Sequence, residues 1–181
     1  MRHVSSVVAI AAAVIIMGQS IGAQESAASF DVRGDVLKPR QWALSQLKQE
    51  FAKEIQTVKF STGIDQGQHT GTGVPLISLL QATAPKTEKI PKHYDLSFLV
   101  IIEAHDNYRV YFSLAELLPS CGRTQAWLVL DMDGKSLPAK EGPVRLAVLS
   151  DQGHDRYIYG IARVTLVDGT RLAAQLSAGR Q

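Results

Sequence analysis

Side chains able to do chemistry are few in this chain and widely scattered. His69, His105 and His154 lie far apart in separate loops, so a metal site made from them would depend wholly on tertiary folding. Cys121 is the only cysteine and follows Pro119-Ser120, which excludes an intramolecular disulfide and predicts a small packed hydrophobe rather than a reactive thiol. Residues 150–156 (SDQGHDR) gather Asp151, His154, Asp155 and Arg156 in one glycine-containing loop, and residues 63–73 form a Gly/Thr/Gln-rich loop that holds His69. These two loops are the expected walls of any pocket; the alternative is a pair of ordinary turns whose side chains cap their own backbone. Arg109 sits in a Tyr-Arg-Val triplet of strand type, facing either a polar pocket or solvent, and Arg145 stands beside an apolar strand. No G-x-S-x-G, H-E-x-x-H, C-x-x-C or glycine-rich phosphate loop is present, so the sequence carries none of the common signatures for acyl transfer, zinc hydrolysis, thiol redox or nucleotide binding.

The chain opens with Arg2 and His3, followed by eleven unbroken apolar residues at 7–17 and the small residues Ser20, Gly22 and Ala23. This pattern predicts a cleaved export signal, because the apolar run is too short to span a bilayer; an uncleaved anchor is the competing reading. The expected organisation is a signal peptide at 1–23, a flexible mature N-terminus at 24–29, one domain at 30–170 and a C-terminal tail at 171–181. The expected location is the periplasm or the exterior, without stable membrane insertion after cleavage. Cleavage after Ala23 leaves 158 residues with 18 basic and 17 acidic side chains, so the charge balance excludes an electrostatic footprint for nucleic acid.

Strand patterns dominate what remains. Residues 30–36 alternate until Lys38-Pro39; Leu44, Leu47 and Phe51 then fall at helical spacing, with Ser45 as the expected cap, and a strand resumes at 55–61. Residues 62–73 read as a loop, and Pro75 opens a helix carrying Leu76, Leu79 and Leu80. The centre of residues 97–103 (SFLVIIE) is apolar throughout and predicts a strand buried on both faces. Residues 105–107 turn the chain, 108–112 return as a partner strand, and Ser113 with Glu116 forms a capping box. Further strands are expected at 126–131, 144–149 and 157–167, with a hairpin turn at Asp133-Gly134. The class is therefore α+β, with a mixed sheet and a few short helices.

Residues 30–168 resemble the molybdopterin-binding domain of the sulfite-oxidase type, in its compact stand-alone bacterial form. The resemblance is carried by Gly34-Asp35-Val36 with Lys38-Pro39, by residues 70–80 (TGTGVPLISLL), 106–117 (DNYRVYFSLAEL) and 133–138 (DGKSLP), by 142–149 (GPVRLAVL), and by 151–153 with the strand around 163–166. It implies a mixed α+β fold, export and, in catalytic members, an oxidoreductase centre on pterin-bound molybdenum. It also implies a ligand cysteine at the end of the strand at 55–61, where this chain has Ser61 and Thr62. A thiol ionises near pH ~8.5 and is a soft donor, whereas a hydroxyl is hard and scarcely ionises, so either residue is a poor substitute. Where relatives carry a lysine that meets the anionic cofactor, this chain has Tyr159.

The expectation is a non-catalytic binding, sensing or accessory domain with no catalytic residue, no metal ligand and no cofactor, acting on a small ligand or a periplasmic protein partner. Ser61, Thr62, His69, Arg109, Arg145, His154 and Arg156 are its candidate pocket residues. The alternative is an active molybdopterin-dependent oxidoreductase of the oxygen-atom-transfer type with a non-cysteine metal ligand. A third reading is a purely structural partner subunit.

Overall fold

The computed structural model describes residues 29–62, 67–86 and 96–179. The expected signal at 1–23 and most of the charged connection at 85–94 lie outside the described residues.

The opening alternation becomes β1 (Ser29–Gly34), which returns through the Lys38-Pro39 corner as β2 (Arg40–Ala43). The helix α1 (Leu44–Glu50) follows, burying Leu47. Its cap is not Ser45: Ala43 occupies that place, and the Gln46 amide oxygen accepts from the Ala43 N–H at 2.9 Å. Then come β3 (Gln56–Ser61), β4 (Gln68–Pro75), α2 (Leu76–Thr83), β5 (Phe98–Ala104), β6 (Arg109–Ser113) and α3 (Leu114–Leu117). Ser113 caps α3 as its spacing with Glu116 predicts, the carboxylate accepting from the Ser113 N–H at 2.9 Å. The chain continues through β7 (Ala126–Val129), β8 (Asp131–Met132), β9 (Lys135–Ser136), β10 (Arg145–Val148), β11 (Ile161–Asp168) and α4 (Gly169–Ala178).

These elements build a mixed α+β domain. Strands β2-β1-β11-β5-β6 form a five-stranded sheet, mixed because β1 and β11 run parallel while the other neighbours are antiparallel. Strands β10-β7-β4-β3 form a four-stranded antiparallel sheet, and β8-β9 a small hairpin. One continuous core lies between the large sheets, joining Phe30, Phe98, Ile102 and Leu166 to Leu76, Leu80, Leu128 and Leu146. A smaller cluster of Val58, Phe60, Val129 and Ala147 covers the far face of the four-stranded sheet, so β10 is buried on both sides.

Three segments depart from the sequence reading. Residues 68–73, read as loop, and Pro75, read as a helix start, belong to the long strand β4. Its glycines suit it to a crowded place: a Cβ at Gly71 would collide with the Asp131 carbonyl, so the strand needs residues without side chains there. Strand β5 is buried on one face only, with Leu99 exposed and Ile101 half-buried on the other. Residues 157–160, read as the start of the last strand, stay in the loop before β11, which begins at Ile161. The tail segment carries α4, anchored at its start by Asp35, whose carboxylate accepts from the Asp168 N–H at 2.8 Å and pairs with Arg171 at 2.6 Å.

Candidate functional site

The end of β3 is where the two sheets and a long loop converge. Val58 and Phe60 turn inward to the smaller core cluster and fix the strand, leaving Ser61 half-buried at its last position. The Ser61 hydroxyl is hydrogen-bonded to His154 Nε2, from the loop between β10 and β11. That loop is held from several directions. Arg156 grips Asp151 through two nitrogens, at 2.8 and 2.6 Å, reaches Glu116 of α3 at 3.3 Å and lies 4.6 Å from the Phe112 ring centroid. Ile158 is buried and exchanges backbone hydrogen bonds with Leu146 at 2.6 and 3.2 Å, extending the β10 ladder by one bridge. His154 meets Tyr157 edge-on, ring centroids 5.1 Å apart.

The turn from β5 to β6 supplies the third wall. Asn107 takes a left-handed conformation, φ 70°, and the Asp106 carboxylate accepts from the Tyr108 N–H at 2.9 Å, a local arrangement typical of Asx turns. The Tyr108 hydroxyl then donates to the Asp155 carbonyl at 2.5 Å, tying the turn to the long loop. Between these walls lies a cleft of about 360 Å³ lined by Thr62, Asp106, Tyr108, His154, Asp155, Tyr157 and Tyr159, with Ala104 and Ile158 at its base. Burial, and secondarily the charge of Asp151, pushes the Tyr157 phenol above its ordinary range, so it stays protonated and can donate.

Of the candidate residues from the sequence, Thr62 and His154 line this cleft and Ser61 adjoins it through His154. Arg156 holds the loop from behind. Arg145 is almost fully buried next to the site, paired with Glu141 at 2.7 Å, its guanidinium 6.0 Å from the Tyr159 ring centroid. His69 stands elsewhere, its Nδ1 2.7 Å from Asp133 in the turn between β8 and β9. Arg109 lies on the outer face of the five-stranded sheet, bonded to Glu103. Cys121 is exposed rather than packed: Gly122 presses its backbone against Glu116 of α3, too closely for any side chain, and the preceding thiol is left outside. Among the described residues, no three His, Cys, Asp or Glu side chains assemble in a way that would hold a metal ion.

Of the other lining residues, Tyr108, Tyr157 and Asp106 were not singled out in sequence, whereas Asp155 belonged to the expected wall loop at 150–156 and Tyr159 stood where the resemblance implies a lysine. They come from two segments some fifty positions apart, and the only local signal is a tyrosine beside an aspartate in Asp106-Asn107-Tyr108 and Asp155-Arg156-Tyr157.

The anionic pterin cofactor implied by the resemblance does not match these donors. The hydroxyl at the implied thiolate position is already engaged with His154, and Asp106 and Asp155 line the adjoining cleft. The arginines beside the site are each committed to a carboxylate: Arg145 to Glu141 and Arg156 to Asp151. An unpaired carboxylate lining repels an anion rather than binding it.

No family model matches the chain, and no curated protein matches it in sequence. Among solved structures it is similar to the sulfane dehydrogenase SoxCD from Paracoccus pantotrophus, with a TM-score of 0.57 and 17% identity over 78% of this chain. That stretch is 38% of the SoxCD chain, so the likeness covers well under half of that protein's length. At this identity the two share a fold.

Proposed function

We propose that this chain is an exported domain of the sulfite-oxidase fold that has left molybdenum chemistry and serves as a binding, sensing or accessory protein for a small ligand. The observation that carries the reading is the Ser61–His154 hydrogen bond: the position that the resemblance assigns to a metal thiolate holds a hydroxyl tied to an imidazole. The lysine that relatives turn toward the anionic cofactor is replaced by Tyr159, which lines the cleft. The fold shared with SoxCD supports descent from a common scaffold, and a scaffold hosts new functions through changes at its site.

Metal analysis and pterin fluorescence on the mature protein, exported by its native host, test the proposal. The expected result is less than about one tenth of a molybdenum per chain. About one molybdenum per chain, with a pterin, would overturn the proposal in favour of an oxidoreductase with a non-cysteine ligand. Mapping the mature N-terminus by mass spectrometry tests the export component, which expects a new terminus at residues 23–24.

A further inference from the structure

We infer that the cleft between the β3 end, the β5–β6 turn and the β10–β11 loop binds a small organic ammonium ion. This rests on the reading of that cleft as a ligand site and names the class of its ligand.

The lining combines two kinds of group that favour a cation. Three tyrosines, Tyr108, Tyr157 and Tyr159, line one cleft of about 360 Å³, a volume at the lower end of small-molecule sites, and tyrosine rings attract cations. Asp106 and Asp155 also line the cleft and carry a formal charge of −2, and among the described residues no lysine or arginine lines it. Arg145 is the nearest buried cation, but Glu141 at 2.7 Å neutralises it and keeps it behind Tyr159 rather than in the cleft. The His154 ring, held by Ser61 and packed edge-on against Tyr157, adds a further ring to the wall.

The arrangement is also held in place before any ligand arrives. The Tyr108 hydroxyl is anchored on the Asp155 carbonyl, the Asp106 carboxylate on the Tyr108 N–H, and the loop bearing Asp155 and Tyr157 on Arg156. Preorganised rings and carboxylates bind with less ordering cost than mobile ones. A sugar also stacks on tyrosine, but it leaves two carboxylates without a counter-charge. An ammonium ion brings a counter-charge to them.

The test uses choline as the cation and 3,3-dimethylbutan-1-ol as its neutral isostere, titrated into the mature chain at constant ionic strength and followed by NMR on the tyrosine ring resonances. Choline is expected to shift the cleft tyrosines with at least about tenfold higher affinity than the alcohol, the scale of a cation–π contact joined to a carboxylate. Tyr159→Leu and Asp155→Asn should each weaken choline binding by about threefold or more, and Asp106→Asn supplies a second charge variant should either fail to keep the wild-type circular dichroism. Equal affinity for choline and the alcohol, a stronger response to glucose than to choline, or no shift at ~10 mM choline would overturn the inference. Metal and pterin content measured on the same sample separates the outcomes: a pterin-free protein that ignores choline defeats this inference alone, whereas a molybdenum-loaded one defeats the reading beneath it.

Discussion

At the scale of single residues, the energetic weight lies in Arg145 rather than in the exposed cysteine. Arg145 and Glu141 form an almost fully buried ion pair, and removing one partner strands the other's charge in a medium that cannot solvate it. Arg145→Ala should therefore destabilise the fold by about 3–5 kcal/mol, and the double change Arg145→Met with Glu141→Leu should recover most of that loss in chemical denaturation. Cys121→Ser should shift stability by less than about 0.5 kcal/mol, because the thiol is exposed. Preserved tyrosine resonances in that variant would show that the cleft is independent of the thiol. Most of the polar candidates were visible in sequence only as residue types. Ser61 and His154 stand 93 positions apart, and nothing local to either announces their hydrogen bond.

Among the elements, those with a strong local pattern were legible and those defined by a partner were not. The capping box of α3, the Asp133-Gly134 turn between β8 and β9, and the leucine face of α2 follow from spacing and turn chemistry alone. Strand β4 was hidden because its Gly and Thr residues look like loop, and only its place between β3 and β7, where bulk is excluded, explains them. Gly71→Ala should consequently cost about 1–3 kcal/mol and loosen the β3–β4 pairing, readable as faster amide exchange in residues 56–61. Helix α4 was hidden for the opposite reason, since it has no buried residue and makes no core pattern. Its hold on the domain is polar, so Asp35→Ala should free the Asp168 N–H and Arg171 and cost about 1–3 kcal/mol, while Leu176→Ser, on an exposed position, should change little.

Over the whole molecule, the sheets meet water through charged ladders, and this gives stability a defined pH dependence. Glu103 is held below the usual carboxylate range, first by its hydrogen bond from Arg109 and then by the charges of Arg109 and Arg163, against the opposing effect of burial. Asp168 is likewise lowered, chiefly by the Thr170 hydroxyl. Both groups bind protons less readily folded than unfolded, so their contribution is complete above about pH 4 and is lost as the pH falls through their folded values. Thermal unfolding followed from pH 6 down to 2 should show this loss, and Glu103→Gln should make the acid limb shallower. Tyr157 acts at the other end: its raised folded value means that stability declines once the pH passes about 10, where the unfolded phenol ionises first, and Tyr157→Phe should remove that part of the decline. The parallel pairing of β1 with β11 carries a consequence for biosynthesis. The strand at the middle of the five-stranded sheet, between β1 and β5, is the last one to be translated. Until residue 168 has been made, the β1–β2 and β5–β6 pairs have no strand to join them, so this sheet cannot close before β11 emerges.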